Sequence, residues 1–307
     1  MDVSIILVNY NTKQITSNCI DSIFAKTNSI SFEVILIDNA SSDGSSVHFR
    51  YDGRIKFIES RENIGFGNAN NLGIKMSTGR NVLFLNTDTL LLNNAVKILS
   101  DFLDSNPKVG ACGGNLIDIK SQPTKSFARF FPGFVEEFSA LTGHRYERLR
   151  YGKNSYYNNS GKPIKVAFVS GADMMVKRQV LDRVGVFDKD FFLYFEETEL
   201  SYRVYKYGYT IYSIPEAQLI HLVSKSFDFP ESKARHYYFS KQVYYSKIYS
   251  AYKVCFLNAL FCFHHKIRYY IALILKQDQI ALSNKNILRV SRESYYEFRK
   301  QKKNPLL

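Results

Sequence analysis

The first third of the chain alternates short apolar runs with segments of helical periodicity. VSIILV at 3–8, FEVILID at 32–38 and NVLFLN at 81–86 are continuous apolar runs with the length of buried strands. RIKFIES at 54–60 predicts a further strand with weaker alternation, and ITSNCIDSIF at 15–24 has apolar residues at helical spacing. Because strands that are apolar on both faces are buried on both faces, the pattern predicts a parallel sheet covered by helices on each side.

Further helices are predicted where apolar residues recur every three or four positions and a glycine or proline follows. These helices cover residues 67–79, 93–107, 178–185 and 195–208. The first of them is expected to end at Gly79, because glycine is a common C-terminal cap.

The middle of the chain is less regular. Residues 121–165 combine Pro, Gly, Tyr, Asn and basic residues with little periodicity, which predicts a long irregular segment. This segment either closes over a ligand or is an ordinary surface excursion. Residues 166–171 and 172–177 predict two strands joined by a tight turn, and YTIYSIP (209–215) and AQLIHL (217–222) predict the last two strands.

The net charge of +13 is concentrated in the C-terminal quarter. Residues 230–307 contain 15 Lys and Arg against 4 Asp and Glu, a net charge of +11, which leaves +2 for residues 1–229. We therefore expect a domain at 1–229 and a basic, aromatic, helical tail at 230–307. Tyr and Phe interleaved with Lys and Arg are typical of a helix on an anionic membrane surface. A helical cap with solvated lysines is the alternative. Since the rest of the chain is nearly neutral and has no RNP-like or helix-turn-helix motif, no nucleic-acid partner is expected.

The N-terminal segment and the cysteines indicate the cellular compartment of the protein. VSIILV is too short for the apolar core of a signal peptide and follows no basic segment, so no secretory leader is predicted. No run of 18 apolar residues predicts a membrane-spanning helix. The four cysteines show no CxxC pair and suit a reducing cytoplasm. The expectation is a cytoplasmic protein, peripheral on the inner face of the cell membrane.

Polar residues follow three of the predicted strands at their carboxyl ends. Asn9 follows the first strand, Asp38 and Asn39 follow the second, and Asp88 interrupts the apolar stretch LFLNTDTLL after the fourth. Turn chemistry explains any one of them alone. Ligands of open α/β sheets bind beyond the carboxyl ends of the strands, so the three together predict a shared crevice. A lone buried carboxylate is costly, so Asp88 is expected to cap a turn or to hold a cation.

The common nucleotide motifs and catalytic signatures do not match. NIGFGNANN contains Gly65 and Gly67, but Asn70 occupies the third glycine position of a dinucleotide fingerprint, and the segment does not follow the first strand. GxxxxGK[ST], GxSxG, HExxH and zinc-spaced Cys/His sets are absent from the sequence. A dinucleotide-binding or P-loop protein is therefore not predicted.

Six segments in order along the chain carry a family resemblance. VNYN, IDNASSDGS, NIGFGNANNLG, LFLNTDT, GADMMVKRQVLDRVGVFD and FFLYFEETELSYR together resemble the inverting family-2 glycosyltransferases of GT-A fold. They are most similar to the bacterial rhamnosyltransferase-like branch, which acts in polysaccharide biosynthesis such as that of O antigen and capsule. The resemblance covers about residues 3–225. It implies a mixed, mainly parallel sheet with helices on both faces, followed by a helical basic extension.

The resemblance also implies an activity and its cofactor. A sugar, with rhamnose favoured, would pass from a UDP- or dTDP-sugar to a glycan or lipid-linked glycan, with inversion. The metal-binding DxD-like motif reads Asn86-Thr87-Asp88, with an amide in place of the first acid. Asp88 would hold a divalent cation, Mg or Mn, on the diphosphate. His221 would complete the metal shell, or it is a satisfied core histidine.

Nucleotide-sugar contacts follow from the same resemblance. Asp38 would accept a hydrogen bond from the base, beside a pocket that Asn9 and Tyr10 help to line. Asn63 and Asn71 would contact the ribose–phosphate side or hold their loop. The full set of implied contacts is Val8, Asn9, Tyr10, Asp38, Asn39, Asn63, Asn71, Asn86, Thr87, Asp88 and Asp173.

The acceptor-side motif contains the implied catalytic acids. Relatives usually have Glu-Asp with the second acid as base, whereas this chain has Glu196-Glu197. Glu197 is the expected base and Glu196 the second candidate, and burial in a closing site would raise the pKa of such a base. Glu199 is expected to pair with Arg203 one helical turn away. Because position 86 and position 197 depart from the family pattern, a non-catalytic nucleotide- or glycan-binding relative stays an alternative.

Overall fold

The computed structural model describes residues 1–222 and 231–303, and the chain divides into two compact units. The predicted domain boundary between residues 229 and 230 lies outside the described residues. The first unit contains residues 1–131, 151–189 and the described residues from 196 to 222, and the second contains residues 132–150, 190–195 and the described residues from 231 onward.

The first unit is built on a mixed sheet whose N-terminal half is parallel. β1 (Val3–Asn9), β2 (Phe32–Asp38), β3 (Ile55–Glu59) and β4 (Asn81–Asn86) lie in the order β3-β2-β1-β4. All three neighbouring pairs are parallel. These four strands confirm the prediction from the apolar runs.

The second half of the sheet mixes directions. β10 (Asp173–Lys177) lies antiparallel between β4 and β6 (Val109–Ile117), and β11 (Thr210–His221) pairs in parallel with β6. β5 (Thr89–Leu91) and β8 (Ile164–Val166) pair antiparallel with β11. The strand–turn–strand order predicted at 166–177 is confirmed, and the two strands pair with different partners. β9 (Phe168–Val169) pairs with β7 (Phe127–Ala128), and β10, whose five residues are all buried, takes a central position.

Helices cover both faces of the sheet, as predicted. Alternate strand residues point to opposite faces, so Ile5 and Leu7 of β1 pack in one core and Ile6 packs in the other. The first core is covered by α1 (Lys13–Lys26), α2 (Ser45–Phe49) and α4 (Ala95–Ser105). The second core is covered by α3 (Phe66–Met76), α7 (Arg178–Val184) and α8 (Glu196–Lys206).

Several element ends differ from the prediction. α3 ends at Met76, and Gly79 does not cap it. A Cβ atom on Gly79 would lie 2.4 Å from the Ser4 nitrogen, so glycine is needed there for close approach to β1. The two last predicted strands form the single strand β11, with a shift of register between Ser213 and Gln218.

The second unit is helical, and it includes part of the segment for which little regular structure was predicted. Residues 121–165 contain β7 and the short helices α5 (Phe134–Leu141) and α6 (Arg145–Tyr151), followed by a 3-10 turn at Gly152–Asn154. The C-terminal helices are α9 (Glu231–Ile248), α10 (Ala251–Ile274) and α11 (Asp278–Lys303). A helical C-terminal extension was therefore predicted correctly, and its charged segment is helical to Lys303. Within the described ranges, no helix has the length and apolar character needed to cross a bilayer.

Candidate functional site

The strand register brings the predicted polar residues to one edge of the sheet. Asn9 pairs with Asp38 across β1 and β2, and Asn86 lies opposite Val8 at the end of β4. β10 runs the other way and begins at this edge with Asp173. Residues that are distant in sequence are thus gathered at the carboxyl ends of β1, β2 and β4.

A closed hydrogen-bond network occupies the end of β1 and β2. Asp38 is fully buried; its Oδ1 accepts from Asn9 Nδ2 at 2.7 Å, and its Oδ2 accepts from the Ser41 amide at 3.1 Å. Asn9 Oδ1 in turn accepts from the hydroxyls of Thr12 and Thr16, each at 2.8 Å. Both side chains are therefore engaged within the protein, and they fix the end of β1 against β2.

The remaining residues of the implied base pocket differ in exposure. Tyr10 follows the network and is 49% exposed, whereas Val8 is half-buried in β1. Tyr10 is therefore the side chain at this strand end that is open to a ligand.

Asn39, Asn63 and Asn71 make hydrogen bonds within the protein that fix neighbouring loops. Asn39 Nδ2 donates to Asn63 Oδ1 at 2.9 Å, and the same oxygen accepts from the Gly65 amide at 3.0 Å. Asn71 uses both ends of its amide on the Phe187 backbone, donating to the carbonyl at 2.8 Å and accepting from the amide at 3.0 Å. For Asn63 and Asn71, these contacts match the second of the two roles considered, that of holding the loop.

Asp88 and His221 lie together at the end of β4 and β11. Antiparallel pairing sets His221 opposite Thr89, which brings its Nε2 to 3.3 Å from Asp88 Oδ1. The Asp88 carboxylate is 35% exposed, so it is not an unpaired charge inside the core. Thr87, between Asn86 and Asp88, is buried.

These two side chains fit a divalent cation only as part of a shared shell. Within residues 1–222 and 231–303, no group of three or more His, Cys, Asp or Glu is arranged to hold a metal. Magnesium is usually bound through one or two carboxylates together with substrate phosphates and water. Asp88 with His221 is compatible with that kind of site, in which diphosphate oxygens supply further ligands.

Asp173 is a buried carboxyl with one free oxygen. It is fully buried at the start of β10, and its Oδ2 accepts from the Gly114 amide. Its Oδ1 has no hydrogen-bond partner in the described part of the chain. Burial raises the pKa of Asp173 to about 7. Such a group retains the capacity to hold a proton or a ligand hydroxyl.

Glu196 and Glu197, called the acid pair below, are the first two residues of α8. Glu196 is buried and its Oε2 has no partner among the described residues, whereas Glu197 is half-buried and accepts from the Thr198 hydroxyl at 3.3 Å. Burial raises the pKa of both glutamates, and the charge of Glu197 raises that of Glu196 further. The positive charge of Lys125 opposes the rise at Glu197. A carboxyl pair with raised pKa values is suited to proton transfer.

Two consecutive residues in an unusual backbone conformation precede this pair. Tyr194 and Phe195 have φ values of +70° and +68°. Bulky side chains rarely adopt this left-handed region, and such residues cluster at functional sites.

One short loop links the acid pair to the end of β4. A Cβ atom on Gly171 would lie 3.4 Å from Cγ of Glu197, so the loop backbone passes directly against that glutamate. The carbonyl of the next residue, Ala172, accepts from the Asn86 amide at 3.0 Å. Asp173 follows and binds Gly114. Three consecutive residues thus contact the acid pair, the Asn86-Thr87-Asp88 motif and β6.

Some residues of the site were not predicted. Ser41 lies three positions after Asp38, a spacing typical of a side chain that accepts from the following backbone. The paired glycines of VGACGGNLI signal close backbone approach, and a Cβ atom on Gly114 would lie 2.5 Å from the Ala217 carbonyl oxygen. No sequence pattern predicted a role for Lys125, because this residue lies in the segment without periodicity.

Comparison with known families identifies the chain. The model of glycosyl transferase family 2 matches residues 4–185, and the chain belongs to this family. The prediction of a glycosyltransferase is therefore confirmed.

Similar proteins with curated names include three transferases. The low-salt glycan biosynthesis hexosyltransferase Agl10 of Haloferax volcanii is 26% identical over 72% of this chain and 67% of its own length. The N-acetylglucosaminyl-diphospho-decaprenol L-rhamnosyltransferase of Mycobacterium tuberculosis is 26% identical over 61% of this chain and 66% of its own. The dTDP-rhamnosyl transferase RfbF of Shigella flexneri is 21% identical over 71% and 68%. The chain thus spans about two thirds of the length of these relatives.

Solved structures support the same fold. GalNAc-T7, crystallised with UDP, GalNAc and Mn²⁺, has a TM-score of 0.58 at 15% identity, over 80% of this chain and 50% of its own. The mannosyltransferase PcManGT of Pyrobaculum calidifontis, in complex with GDP-Man and Mn²⁺, has a TM-score of 0.57 at 17% identity, over 96% and 86%. These likenesses confirm the GT-A fold.

Proposed function

We propose that this protein transfers a hexose, with rhamnose favoured, from a UDP- or dTDP-sugar to a glycan or lipid-linked glycan in cell-surface polysaccharide biosynthesis. The loop Gly171–Asp173 is the observation that carries the proposal, because it connects a pair of glutamates of raised pKa to the strand end that bears Asp88. The names of two relatives as rhamnosyltransferases favour that sugar. The Mn²⁺ in both solved structures favours use of a divalent cation.

Asp88 and His221 would hold the cation against the donor. Their side chains lie 3.3 Å apart at the end of the strands, and Asp88 is accessible from outside. When bound, the cation would stabilise the negative charge of the departing nucleoside diphosphate as a Lewis acid.

Glu197 would act as the general base. Its carboxylate takes the proton of the acceptor hydroxyl, whose oxygen forms the new bond to the anomeric carbon. The bond from that carbon to the diphosphate breaks, with its electron pair leaving on the diphosphate. Attack from the face opposite the leaving group inverts the anomeric centre. Burial and the charge of Glu197 raise the pKa of Glu196, which favours its protonated form and so limits repulsion beside the base.

Donor hydrolysis tests the donor site without knowledge of the acceptor. Purified protein is incubated with UDP- and dTDP-sugars, with Mn²⁺ and then with EDTA, while free nucleotide and the thermal shift are measured. We expect metal-dependent hydrolysis with one nucleotide and its loss in Asp88→Asn. Asp101→Asn is the matched control, since Asp101 is an exposed aspartate paired with Lys97 on α4. Absence of signal with every nucleotide would refute the proposal.

A further inference from the structure

An exposed apolar stripe runs along one face of α10. Eight large apolar side chains of this helix are between 38% and 80% exposed, and six of them share one face. Successive members are three, four or seven residues apart, which places them within a sector of roughly 60° around the helix axis. We call these residues the α10 stripe: Tyr252, Phe256, Phe263, Ile267, Tyr270 and Ile274.

The other side of α10 is packed. Its buried positions are Val254, Leu257, His264 and Ala272, so the helix is anchored in its unit by the side away from the stripe. Large apolar groups gathered on a free helix face mark an interaction surface, since soluble surfaces rarely expose them contiguously.

The neighbouring helix α5 extends the apolar surface. The Phe134 ring lies 5.8 Å from that of Phe256, a member of the stripe. Phe138, one helical turn after Phe134, is 56% exposed. The apolar surface is therefore wider than one helix.

The charged side chains of α10 itself are all positive. α10 contains no Asp or Glu, and its exposed Lys253 and Lys266 lie roughly 40° to either side of the stripe. Residues 231–303 carry 15 Lys and Arg against 4 Asp and Glu. A second copy of the chain on this face would bring lysines against lysines, with no acid of α10 to pair with them. The charge therefore favours an anionic partner.

We propose that the α10 stripe is a membrane-docking surface and that its partner is an anionic phospholipid bilayer. The helix lies in the plane of the interface, with the rings and aliphatic side chains at the headgroup–acyl boundary. Lys253 and Lys266 extend toward lipid phosphates on either side. This goes beyond the proposed sugar transfer and is tested without any nucleotide, so failure of either leaves the other standing.

The absence of tryptophan from the chain permits a clean test. Phe263→Trp places a single fluorescent reporter on the stripe. Tyr51→Trp is the matched control, at an 84% exposed aromatic position of the first unit. Full-length variants are mixed with vesicles of equal parts phosphatidylcholine and phosphatidylglycerol, or of phosphatidylcholine alone. We expect a blue shift, and quenching by bromine-labelled acyl chains, only for Phe263→Trp and mainly with the anionic vesicles.

A charge reversal sharpens the test. Lys253→Glu with Lys266→Glu, made in the Phe263→Trp protein, is expected to weaken vesicle partitioning by at least about tenfold. Both lysines are exposed, so the far-ultraviolet circular dichroism of this variant should be unchanged.

Four outcomes would overturn the proposal. The first is an unchanged Phe263→Trp spectrum with anionic vesicles. The second is an equal shift for both reporters, and the third is vesicle binding that the charge reversal does not weaken. The fourth is a blue shift without vesicles that disappears on dilution, which would show that another copy of the chain covers the stripe.

Discussion

Asp38 and Asp173 are both fully buried aspartates at the same edge of one sheet, yet their surroundings differ. Each oxygen of Asp38 accepts a hydrogen bond, from Asn9 and from Ser41. Asp173 has one such bond, from Gly114, and one oxygen without a partner in the described residues. A buried carboxylate with a partner on each oxygen is stabilised within the fold, whereas one with an oxygen lacking a partner carries a desolvation cost that a proton or a ligand can relieve.

The contrast extends to the two regions around these residues. The β1–β2 edge, which comprises Asn9, Thr12, Thr16, Asp38 and Ser41, is a closed network. The acid edge comprises Asp88, Asp173, Glu196 and Glu197, and three of these acids have a raised pKa. One region fixes the strands, and the other concentrates the groups suited to proton transfer and ligand binding.

The largest effect on activity is expected from a substitution of Glu197, the proposed general base. Glu197→Gln should lower turnover about 10²–10⁴-fold, because the amide cannot take a proton. Donor binding should persist, since Asp88 and His221 are unchanged. Transfer to an acceptor glycan and nucleotide binding are measured side by side. Glu216→Gln, at an exposed position of β11, is the control.

The pH profile of the wild type supports the same assignment. Only ionised Glu197 acts as a base, so the rate should rise with pH through a pKa above the usual 4.5. A rate that is independent of pH in this range, or full activity of Glu197→Gln, would assign the base elsewhere.

At the closed network, an isosteric change should destabilise the fold. Asp38→Asn turns one acceptor oxygen into an N–H donor, which then faces the donor of either Asn9 or Ser41. We expect a loss of about 2–3 kcal/mol in the free energy of unfolding, measured by urea titration. The exposed Asp101→Asn should change it by less than about 0.5 kcal/mol. Equal effects of the two substitutions would contradict the view that the network is structural.

The sequence predicted the parts of the fold that depend on local pattern. β1 to β4 follow from apolar runs, and α7 ends at Gly185 because a φ of +88° there suits glycine. The pairing of β10 with β4 and β6 was missed, because DMMVK shows that a strand is buried and not which strands flank it. Gly79 was misread as a cap, since its close contact with Ser4 spans distant parts of the chain.

The candidate site divides in the same way. Carboxylates at strand ends could be located from the sequence, but the meeting of Asp88 with His221 depends on β5 pairing with β11. That meeting was anticipated from family resemblance rather than from spacing. The hydrogen bonds from Asn9 and Ser41 to Asp38 were not anticipated, because a sequence does not show which polar groups find partners.

The same isosteric change at Asp173 is expected to raise the free energy of unfolding, whereas at Asp38 it is expected to lower it. The folded-state pKa of about 7 exceeds the ordinary 3.8, so the native state holds a proton that the unfolded state releases. The wild type should therefore lose up to about 1.4 kcal/mol per pH unit through this group between those values. Asp173→Asn keeps an acceptor for Gly114 and should remove that slope. Thermal unfolding of both proteins from pH 5 to 8 checks it, and parallel curves would show that Asp173 is ionised throughout.

Glu196→Gln should have the smallest effect on the free energy of unfolding at neutral pH, and a small effect is itself informative. Burial and the charge of Glu197 raise the pKa of Glu196 well above its usual range, which favours the protonated side chain, the form that the amide resembles. We expect a difference in unfolding free energy within about 0.5 kcal/mol at pH 7. As pH rises through the folded-state pKa, the wild type loses the stability associated with the bound proton, and the variant becomes the more stable protein. A large loss of stability in Glu196→Gln at pH 7 would instead show an ionised Glu196 held by a cation. Glu196 would then be a ligand-binding residue like Asp88 and not a residue that holds a proton.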